Sequence, residues 1–251
     1  MKFSIITCTW NSAATLPDTI ASVNAQKGVE VEHIFVDGGS KDATLEQIAG
    51  MSPHSRVLHD VGGGISRAMN DGIRAASGEV IAHLHSDDYY RDAQVLSDVA
   101  GALNGGAQWA VGHTDLLIND RLVLGQGNAG PITRARYVRG AAFIPHPAVF
   151  VRRDLFERAG FFDERLRYAM DIDLWMRMLP LAEPALVKRA LAVFREHAGS
   201  VSTANVLAAR REELTVRLRY AGRDLLGSAV FGLRYLRRVR RLRRELEQGQ
   251  G

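Results

Sequence analysis

The sequence predicts an α/β protein with a mostly parallel central sheet, helices on both faces of that sheet, and a helical extension at its C-terminus. Two patterns carry this prediction. Over the first hundred residues, apolar runs of strand length alternate with segments of helical spacing, which is typical of a parallel sheet covered on both faces. From about Ala204 onward, the spacing of the apolar residues is helical.

The first half of the chain contains four predicted strands, each followed by turn or capping residues: "FSIITC", "VEHIFVD", "RVLHD" and "EVIAHL". Segments whose apolar residues have helical spacing separate these strands. In one of them, Ile65, Met69 and Ile73 lie four residues apart. The carboxyl ends of these strands are expected along one edge of the sheet, where open α/β sheets bind their ligands.

After about residue 104 the alternation is less regular. The segment "WAVGHTDLLINDRLVLG" predicts a hairpin that turns at Asn119 and Asp120. Two later segments predict strands, "HPAVFV" and "ALAVFR", and two predict helices, "RRDLFERAG", which Gly160 closes, and "MDIDLWMRML". The segment "ITRARYVRGAAFIP" fits neither period.

The composition is that of an ordinary globular protein, with 46% apolar and 24% charged residues. No apolar run approaches the roughly 18 residues of a transmembrane helix, and the N-terminus does not read as a secretory signal. The single cysteine, Cys8, fits a reducing compartment. We therefore expect a cytoplasmic protein.

Acidic residues follow three consecutive predicted strands. Asp37 ends the second strand, Asp60 follows the third, and Asp87 and Asp88 follow the fourth. In a parallel sheet these carboxylates face one crevice, and a cation would stabilise them together; hard oxygen ligands favour Mg²⁺ or Mn²⁺. The alternative is that Asp87 and Asp88 are surface turn residues, with Asp88 as a helix cap. The spacing alone leaves both interpretations open.

Five stretches give the sequence a family resemblance: "SIITCTWN", "FVDGGSKDAT", "GISRAMNDGIRAASGEVIAHLHSDD", "HPAVFVRRDLFERAGFFDE" and "AMDIDLWMRM". In this order and spacing, over residues 3–200, the chain resembles the family 2 glycosyltransferases. These are inverting enzymes of GT-A fold, and the resemblance is to members that build bacterial surface polysaccharides, such as colanic-acid-like polymers. The resemblance implies a catalytic domain over 1–203, with a nucleotide-binding half (1–104) and an acceptor half (105–203). It leaves a basic helical extension over 204–251.

The resemblance assigns the donor side of the site to the first half of the chain. Asp37 would accept a hydrogen bond from the base, and Asp88 would hold a divalent cation, because Ser86 stands where the acidic motif begins. The implied nucleotide or donor-sugar contacts are Thr7, Thr9, Asp37, Asp60, Asn70 and Asp87. Asp37 could also be a simple turn former before two glycines, and Asn70 an exposed helix residue.

The resemblance assigns the catalytic base to Asp171, although Met170 replaces the acid that usually precedes it. On a helix, Asp171 and Asp173 point about 200° apart, so they cannot serve one site together, and we expect Asp173 to cap or brace the fold. The alternative for Asp171 is an acid favoured by the helix macrodipole. His146 is implied on the acceptor side and His197 at the diphosphate or metal.

The C-terminal extension is strongly basic. Residues 201–251 contain twelve Arg and five acids, a net charge of +7, so the rest of the chain carries −3 of the total of +4. Leucines and a valine recur every three or four residues and predict one apolar stripe: Leu233, Leu236, Val239, Leu242 and Leu246. The helix could lie on an anionic membrane surface, or pack on protein with its arginines solvated. Nucleic-acid binding would leave the five stretches unexplained.

The sequence therefore predicts an inverting, cation-dependent glycosyltransferase. The donor would be a nucleoside-diphosphate sugar of the UDP, GDP or dTDP type, and the acceptor a hydroxyl of a glycan or lipid-linked sugar. The alternative is a nucleotide-sugar-binding regulatory or scaffold protein with weakened catalysis. A dinucleotide-dependent oxidoreductase is disfavoured because "TCTWNS" stands where a glycine-rich turn would follow the first strand. A homo-oligomer is left open.

Overall fold

The computed structural model describes residues 1–196, 205–222 and 225–248. Within them nine strands form a single sheet: β1 (Lys2–Thr9), β2 (Glu30–Asp37), β3 (Arg56–Leu58), β4 (Val80–His83), β5 (Tyr89–Tyr90), β6 (Trp109–Ile118), β7 (Arg121–Val123), β8 (Val149–Arg152) and β9 (Ala185–Glu196). The strand order is β3-β2-β1-β4-β8-β6-β9-β5, and β7 pairs with β6 outside that order.

The described helices are α1 (Leu16–Asn24), α2 (Thr44–Met51), α3 (Ile65–Ala75), α4 (Val95–Leu103), α5 (Arg134–Val138), α6 (Arg153–Ala159), α7 (Met170–Met178), α8 (Val206–Ala221) and α9 (Leu225–Gln248). A short 3-10 turn, His146–Ala148, precedes β8. Helix α5 lies in the segment whose period the sequence left unassigned, and the Thr133 side chain caps it by accepting a hydrogen bond from the Arg136 amide.

The predicted parallel sheet is confirmed in the first half of the chain. Strand β1 pairs in parallel with β2 and β4, and β2 pairs in parallel with β3. Beyond β4 the sheet is mixed, since β8 runs antiparallel to both β4 and β6, while β6 and β9 are parallel. The four carboxyl ends of the first strands thus share one edge, as the sequence predicted.

Two predicted turns are confirmed by backbone geometry. Asn119 and Asp120 have φ values of +48° and +58° and join β6 to β7, as expected for a two-residue hairpin loop with the right-handed twist of its strands. Gly160 ends α6 with φ +75°, a conformation that glycine adopts without steric cost.

The core consists of two main apolar layers, one on each face of the sheet, because successive strand residues point to opposite faces. In β1, Ile6 packs with Met69 and Trp175 on one face, while Phe3 and Ile5 face the other layer. The α3 helix approaches β1 so closely that a Cβ on Gly72 would lie 2.4 Å from the Ile6 side chain. Glycine at that position lets α3 sit directly on the sheet.

The two C-terminal helices pack on the second half of the fold. Helix α8 contacts α7 and α5, and α9 contacts α8 and α5. Phe231 of α9 is buried, whereas Leu233 and Leu236 are 58% and 49% exposed. Of the predicted apolar stripe, these two leucines face solvent, while Val239 and Leu242 are half-buried.

The predicted domain boundary near residue 203 falls outside the described residues, as does the boundary's flanking residue Ala204. One sheet runs through both predicted halves of the catalytic domain, so the division into halves stays a prediction. Among the helices that the structure describes, none is both long and apolar enough to cross a membrane.

Candidate active site

A cavity of about 780 Å³ opens at the carboxyl ends of β1, β2 and β4. Most of its lining residues come from four segments: 8–12 at the end of β1, 61–65 at the start of α3, 85–87 after β4, and 167–170 at the start of α7. A second cavity, of about 560 Å³, lies beside β6 and β9, and none of its described lining residues carries a carboxylate. The first cavity is therefore the candidate site, because the predicted acids are at its edge.

The loop after β1 is fixed by hydrogen bonds to the loop after β2. The Asn11 amide donates to Ser40 Oγ over 2.8 Å, and Asn11 Oδ1 accepts from the Lys41 amide over 2.8 Å. The Ser12 amide donates to Thr44 Oγ1 over 2.8 Å. These bonds leave Trp10 on the rim of the cavity with 70% of its surface exposed.

Asp37 organises the loop after β2. Its Oδ1 accepts from Thr9 Oγ1 (2.9 Å) and Ser40 Oγ (2.6 Å), and its Oδ2 accepts from the amides of Gly39 (2.9 Å) and Ser40 (2.8 Å). Burial raises the pKa of Asp37, but the hydrogen bonds from Ser40, Thr9 and Gly39 outweigh it and lower that pKa below its usual value. A carboxylate has about four acceptor positions, and here all four are used. Asp37 therefore has the turn-forming role that the sequence offered as the alternative, and its contact with a base stays a prediction.

Three other predicted donor contacts lie in different surroundings. Thr9 lines the cavity, whereas Thr7 is fully buried, donates to the Leu84 carbonyl (2.8 Å) and contacts His33 Nε2 (2.9 Å). Asp60 is exposed beside the cavity, next to the lining residue Val61.

Asn70 is buried below the site and is not one of the described residues that line the cavity. Its amide group donates to the Phe162 carbonyl and to Glu164, and accepts from the Phe162 amide, over 2.9–3.0 Å. Asn70 therefore joins α3 to the loop before α7, in place of the predicted pocket-lining role.

The two acids after β4 have different surroundings. Asp87 lines the cavity, while Asp88 is 1% exposed. Asp88 Oδ1 accepts from the Arg195 amide (3.1 Å), and its Oδ2 is buried without a hydrogen-bond partner among the described residues. Burial and the neighbouring Asp87 raise the pKa of Asp88 well above its usual value.

These two acids are compatible with a divalent cation. No group of three or more His, Cys, Asp or Glu within the described residues could hold a metal by itself. Mg²⁺ and Mn²⁺, however, are commonly bound by one or two carboxylates together with substrate phosphate oxygens. The unpartnered Asp88 Oδ2 is the kind of buried acceptor that a cation would satisfy. The predicted ligand His197 lies outside the described residues.

Asp171 lies in the first turn of α7, directly after Met170, which lines the cavity. Asp171 itself is half-buried and is not one of the lining residues. Burial raises its pKa to about 6, and the negative charge of Glu213 adds to that rise. A carboxylate with such a pKa is a stronger proton acceptor at neutral pH than an ordinary aspartate.

Asp173 is buried on the other side of α7 and braces the fold, as predicted from the angle between the two residues. It pairs with Arg177 over 2.9 Å within α7, and accepts from Arg219 (3.1 Å) and Tyr220 (2.9 Å) of α8. Asp171 and Asp173, the two aspartates in the first turn of α7, therefore have separate roles.

Three histidines cluster beneath the cavity. His146 stacks on His85 with ring centroids 4.9 Å apart and planes 2° from parallel, and His83 lies 5.6 Å from His146. Burial, together with His85 and His83, lowers the pKa of His146 well below its usual value. His85 lines the cavity, but His146 packs behind it against aromatic rings, so the predicted acceptor-side role of His146 stays a prediction.

Sequence reasoning missed four cavity residues: Trp10, His85, Arg167 and Tyr168. Trp10 could have been found from the sequence, because it is an aromatic residue directly after the first strand, at the edge of the sheet where the ligand is expected. Arg167 and Tyr168 carry no comparable signal, because their position depends on how the loop before α7 folds back over the sheet. The guanidinium carbon of Arg167 lies 5.8 Å from the Tyr168 ring centroid.

Comparison with known proteins agrees with this geometry. The solved structure of S. aureus TarS 1-349 in complex with UDP-GlcNAc matches with a TM-score of 0.73 at 22% identity, over 92% of this chain and 69% of that one, which confirms the predicted GT-A fold. An uncharacterized glycosyltransferase of Mycobacterium tuberculosis is 31% identical over 199 residues, 76% of this chain and 74% of that protein. A PGL/p-HBAD biosynthesis glycosyltransferase of Mycobacterium bovis is 33% identical over the same shares.

The succinoglycan biosynthesis protein ExoO of Rhizobium meliloti is 32% identical over 174 residues, 66% of this chain and 50% of that protein. The model for glycosyl transferase family 2 matches residues 4–159, and most of the cavity loops lie within that range. With a match of this extent and relatives above 30% identity over three quarters of its length, the chain belongs to glycosyl transferase family 2.

Proposed function

We propose that this glycosyltransferase moves a sugar from a nucleoside diphosphate to an acceptor hydroxyl, with inversion, during the synthesis of a surface polysaccharide or glycolipid. The observation that carries the proposal is one cavity lined both by the acidic turn after β4 and by the loop that begins α7. Relatives named for PGL/p-HBAD and succinoglycan biosynthesis, and TarS structures with UDP-GlcNAc and UDP, support this class of donor and product.

Trp10 would hold the nucleobase. Its exposed indole ring lies on the cavity rim beside Gly38, whose own Cβ, if present, would contact that ring at 3.5 Å. Aromatic rings bind bases by stacking without requiring a particular base. Stacking on Trp10 would add to the hydrogen bond predicted between Asp37 and the base, because Asp37 lies at the end of β2, directly before Gly38.

Asp88 would hold the divalent cation, and Asp87, which lines the cavity, would contact the nucleotide or the donor sugar. Bound there, a cation would stabilise the negative charge that develops on the diphosphate as the sugar departs. The protein contributes two features: the buried Oδ2 of Asp88, which has no hydrogen-bond partner within the part of the chain that the structure describes, and Arg195, which donates to the Asp87 carbonyl and fixes the turn. Arg167 adds a positive side chain to the same cavity.

Asp171 would act as the catalytic base. The acceptor oxygen forms a bond to C1 of the sugar on the face opposite the diphosphate, and the C1–O bond to the diphosphate breaks with its electron pair on the leaving group. The hydroxyl proton passes to the Asp171 carboxylate. A single displacement of this kind inverts the configuration at C1. The raised pKa of Asp171 and its position beside Met170 of the cavity wall support the role.

Helix α9 would bring the enzyme to an anionic membrane that carries a lipid-linked acceptor. Its exposed side presents Leu233 and Leu236 among the exposed arginines Arg237, Arg240 and Arg244. Two leucines flanked by cations fit the boundary between acyl chains and anionic head groups. Elsewhere on the same helix, the buried Phe231 packs beside Arg217 of α8 and Gly140, and Arg234 donates to the Arg139 carbonyl.

A direct experiment tests the function. Purified protein is incubated with UDP-, GDP- and dTDP-sugars with Mn²⁺, Mg²⁺ or a chelator, and released nucleoside diphosphate and the anomeric configuration of any product are measured. Cation-dependent release from at least one donor, lost in Asp88→Asn, is expected. Donor binding without release under every condition would favour the scaffold alternative and contradict the proposed transfer.

A further inference from the structure

The start of α7 is held by a residue from the C-terminal extension. A helix begins with backbone N–H groups that have no partner inside the helix. The residue at the N-cap of α7 is Ala169, whose side chain cannot accept a hydrogen bond. The Glu212 carboxylate of α8 instead holds the three residues directly before α7: its Oε1 accepts from the amides of Arg167 (3.0 Å), Tyr168 (2.7 Å) and Ala169 (2.8 Å).

Three consecutive amides that converge on one carboxylate form a strong and directional contact. The negative charge of Glu212 also lies at the positive end of the α7 dipole, where it is stabilising. The contact spans 43 to 45 residues of sequence, so it depends on the packing of α8 and not on a local turn. It fixes where the chain enters α7.

The held segment is part of the cavity. Arg167, Tyr168 and Met170 line it, and Asp171 follows directly. Glu212 itself is not one of the described lining residues, so it acts on the site only through this segment.

Two further groups of α8 act on the same helix, one through its charges and one through a hydrogen bond. Glu213 pairs with Arg217 over 2.9 Å, and these two charges shift the pKa of Asp171 in opposite directions, Glu213 upward and Arg217 downward. One turn later, Tyr220 donates to Asp173 over 2.9 Å. Helix α8 therefore holds the residues before α7 through Glu212, acts on the charge of Asp171 through Glu213 and Arg217, and hydrogen-bonds Asp173 through Tyr220.

We propose that Glu212 is a positioning residue for catalysis, which holds the loop 167–169 and the first turn of α7 so that Asp171 keeps its place beside the cavity. The expected effect on catalysis rests on the proposed function, whereas the hold of Glu212 on residues 167–169 is independent of it. In this role for Glu212, helix α8 is part of the active-site architecture, although it belongs to the extension that the sequence analysis placed outside the catalytic domain.

The test compares Glu212→Ala and Glu212→Gln with Glu46→Ala, which removes an exposed acid from the first turn of α2. Amide hydrogen exchange, measured on a peptide that covers residues 166–172, reports directly whether Glu212 keeps these backbone amides hydrogen-bonded. We expect exchange there to rise at least about tenfold in Glu212→Ala, to rise less in Glu212→Gln, which keeps a carbonyl acceptor, and to stay unchanged in Glu46→Ala.

Kinetics then report the consequence. We expect kcat of Glu212→Ala to fall at least about tenfold with donor affinity within about threefold of wild type, since misplacing a catalytic group by a fraction of an ångström costs rate more than binding. Glu212→Gln should recover most of that loss. Unchanged exchange in Glu212→Ala, or raised exchange with wild-type kcat, would overturn the inference. A wild-type protein without transfer activity would refute the proposed function, and the exchange result would still decide whether Glu212 holds the loop.

Discussion

Replacing Asp171 by Asn should abolish transfer and stabilise the protein at neutral pH. The side chains have nearly the same shape, and Asn keeps the oxygen that accepts from the Ile172 amide. The substitution removes a carboxylate that is costly to ionise, because burial and the negative charge of Glu213 disfavour its charged form. These two effects raise the pKa of Asp171 from 3.8 to about 6. At about 1.36 kcal/mol for each tenfold change in proton affinity, ionised Asp171 costs the folded state at most about 3 kcal/mol.

The sign of the effect follows from proton binding. Between pH 3.8 and about 6 the folded protein holds a proton on Asp171 that the unfolded chain has released, so the stability contributed by this group falls as pH rises through that window. Asp171→Asn should therefore be more stable than wild type by up to about 3 kcal/mol near pH 7.5, and nearly equal to it below about pH 4. Transfer by wild type should fall as pH drops through about 6, because a protonated base cannot accept the hydroxyl proton.

Urea unfolding at several pH values, donor-binding calorimetry and nucleoside-diphosphate release measure the three consequences. Asp173→Asn is the matched control: it breaks a buried network with Arg177, Arg219 and Tyr220, so it should destabilise the protein by about 3–5 kcal/mol. An Asp171→Asn protein with wild-type turnover would remove Asp171 from the base role. A stability difference that does not change with pH would refute the account of its buried charge.

Three other changes have specific expected outcomes. Trp10→Ala should weaken donor binding by about 1–3 kcal/mol in calorimetry while Trp10→Phe keeps most of it, and equal affinities would argue against stacking. Asp37→Ala should lower the free energy of unfolding by at least about 2 kcal/mol in urea, because it removes the acceptor of four hydrogen bonds. Leu233→Ala with Leu236→Ala should reduce sedimentation with anionic vesicles but not with neutral ones, whereas Leu218→Ala, an equally exposed leucine on α8, should leave sedimentation unchanged. Vesicle binding that is the same in all these variants would mean that α9 does not reach the membrane by this face.

The sequence was sufficient where a local pattern fixes the structure. Alternating strands and helices predicted the parallel half of the sheet, and Asn119 with Asp120 predicted the hairpin, because their backbone conformations are local properties. The helical angle between Asp171 and Asp173 predicted that they would have different surroundings, which the buried network around Asp173 confirms.

The sequence was insufficient where roles depend on distant partners. The sequence offered Asp37 either as a base contact or as a turn former, and only the folded positions of Thr9 and Ser40 show which hydrogen bonds it makes within the protein. Glu212 reads as one acid among many charges in a basic tail, and no local pattern links it to amides more than forty residues earlier. The division of the predicted apolar stripe on α9 likewise depends on which face α5 and α8 cover.

The hydrogen bonds that tie Asn11 and Ser12 to the loop after β2 also bear on how the enzyme meets its donor. Each loop supplies both donors and acceptors to the other, so the protein's own hydrogen bonds assemble this part of the cavity wall. A preassembled wall loses little conformational entropy when it is occupied. Association of the nucleotide with this wall should accordingly proceed in a single kinetic step, and any slow rearrangement during the reaction cycle should arise elsewhere in the molecule.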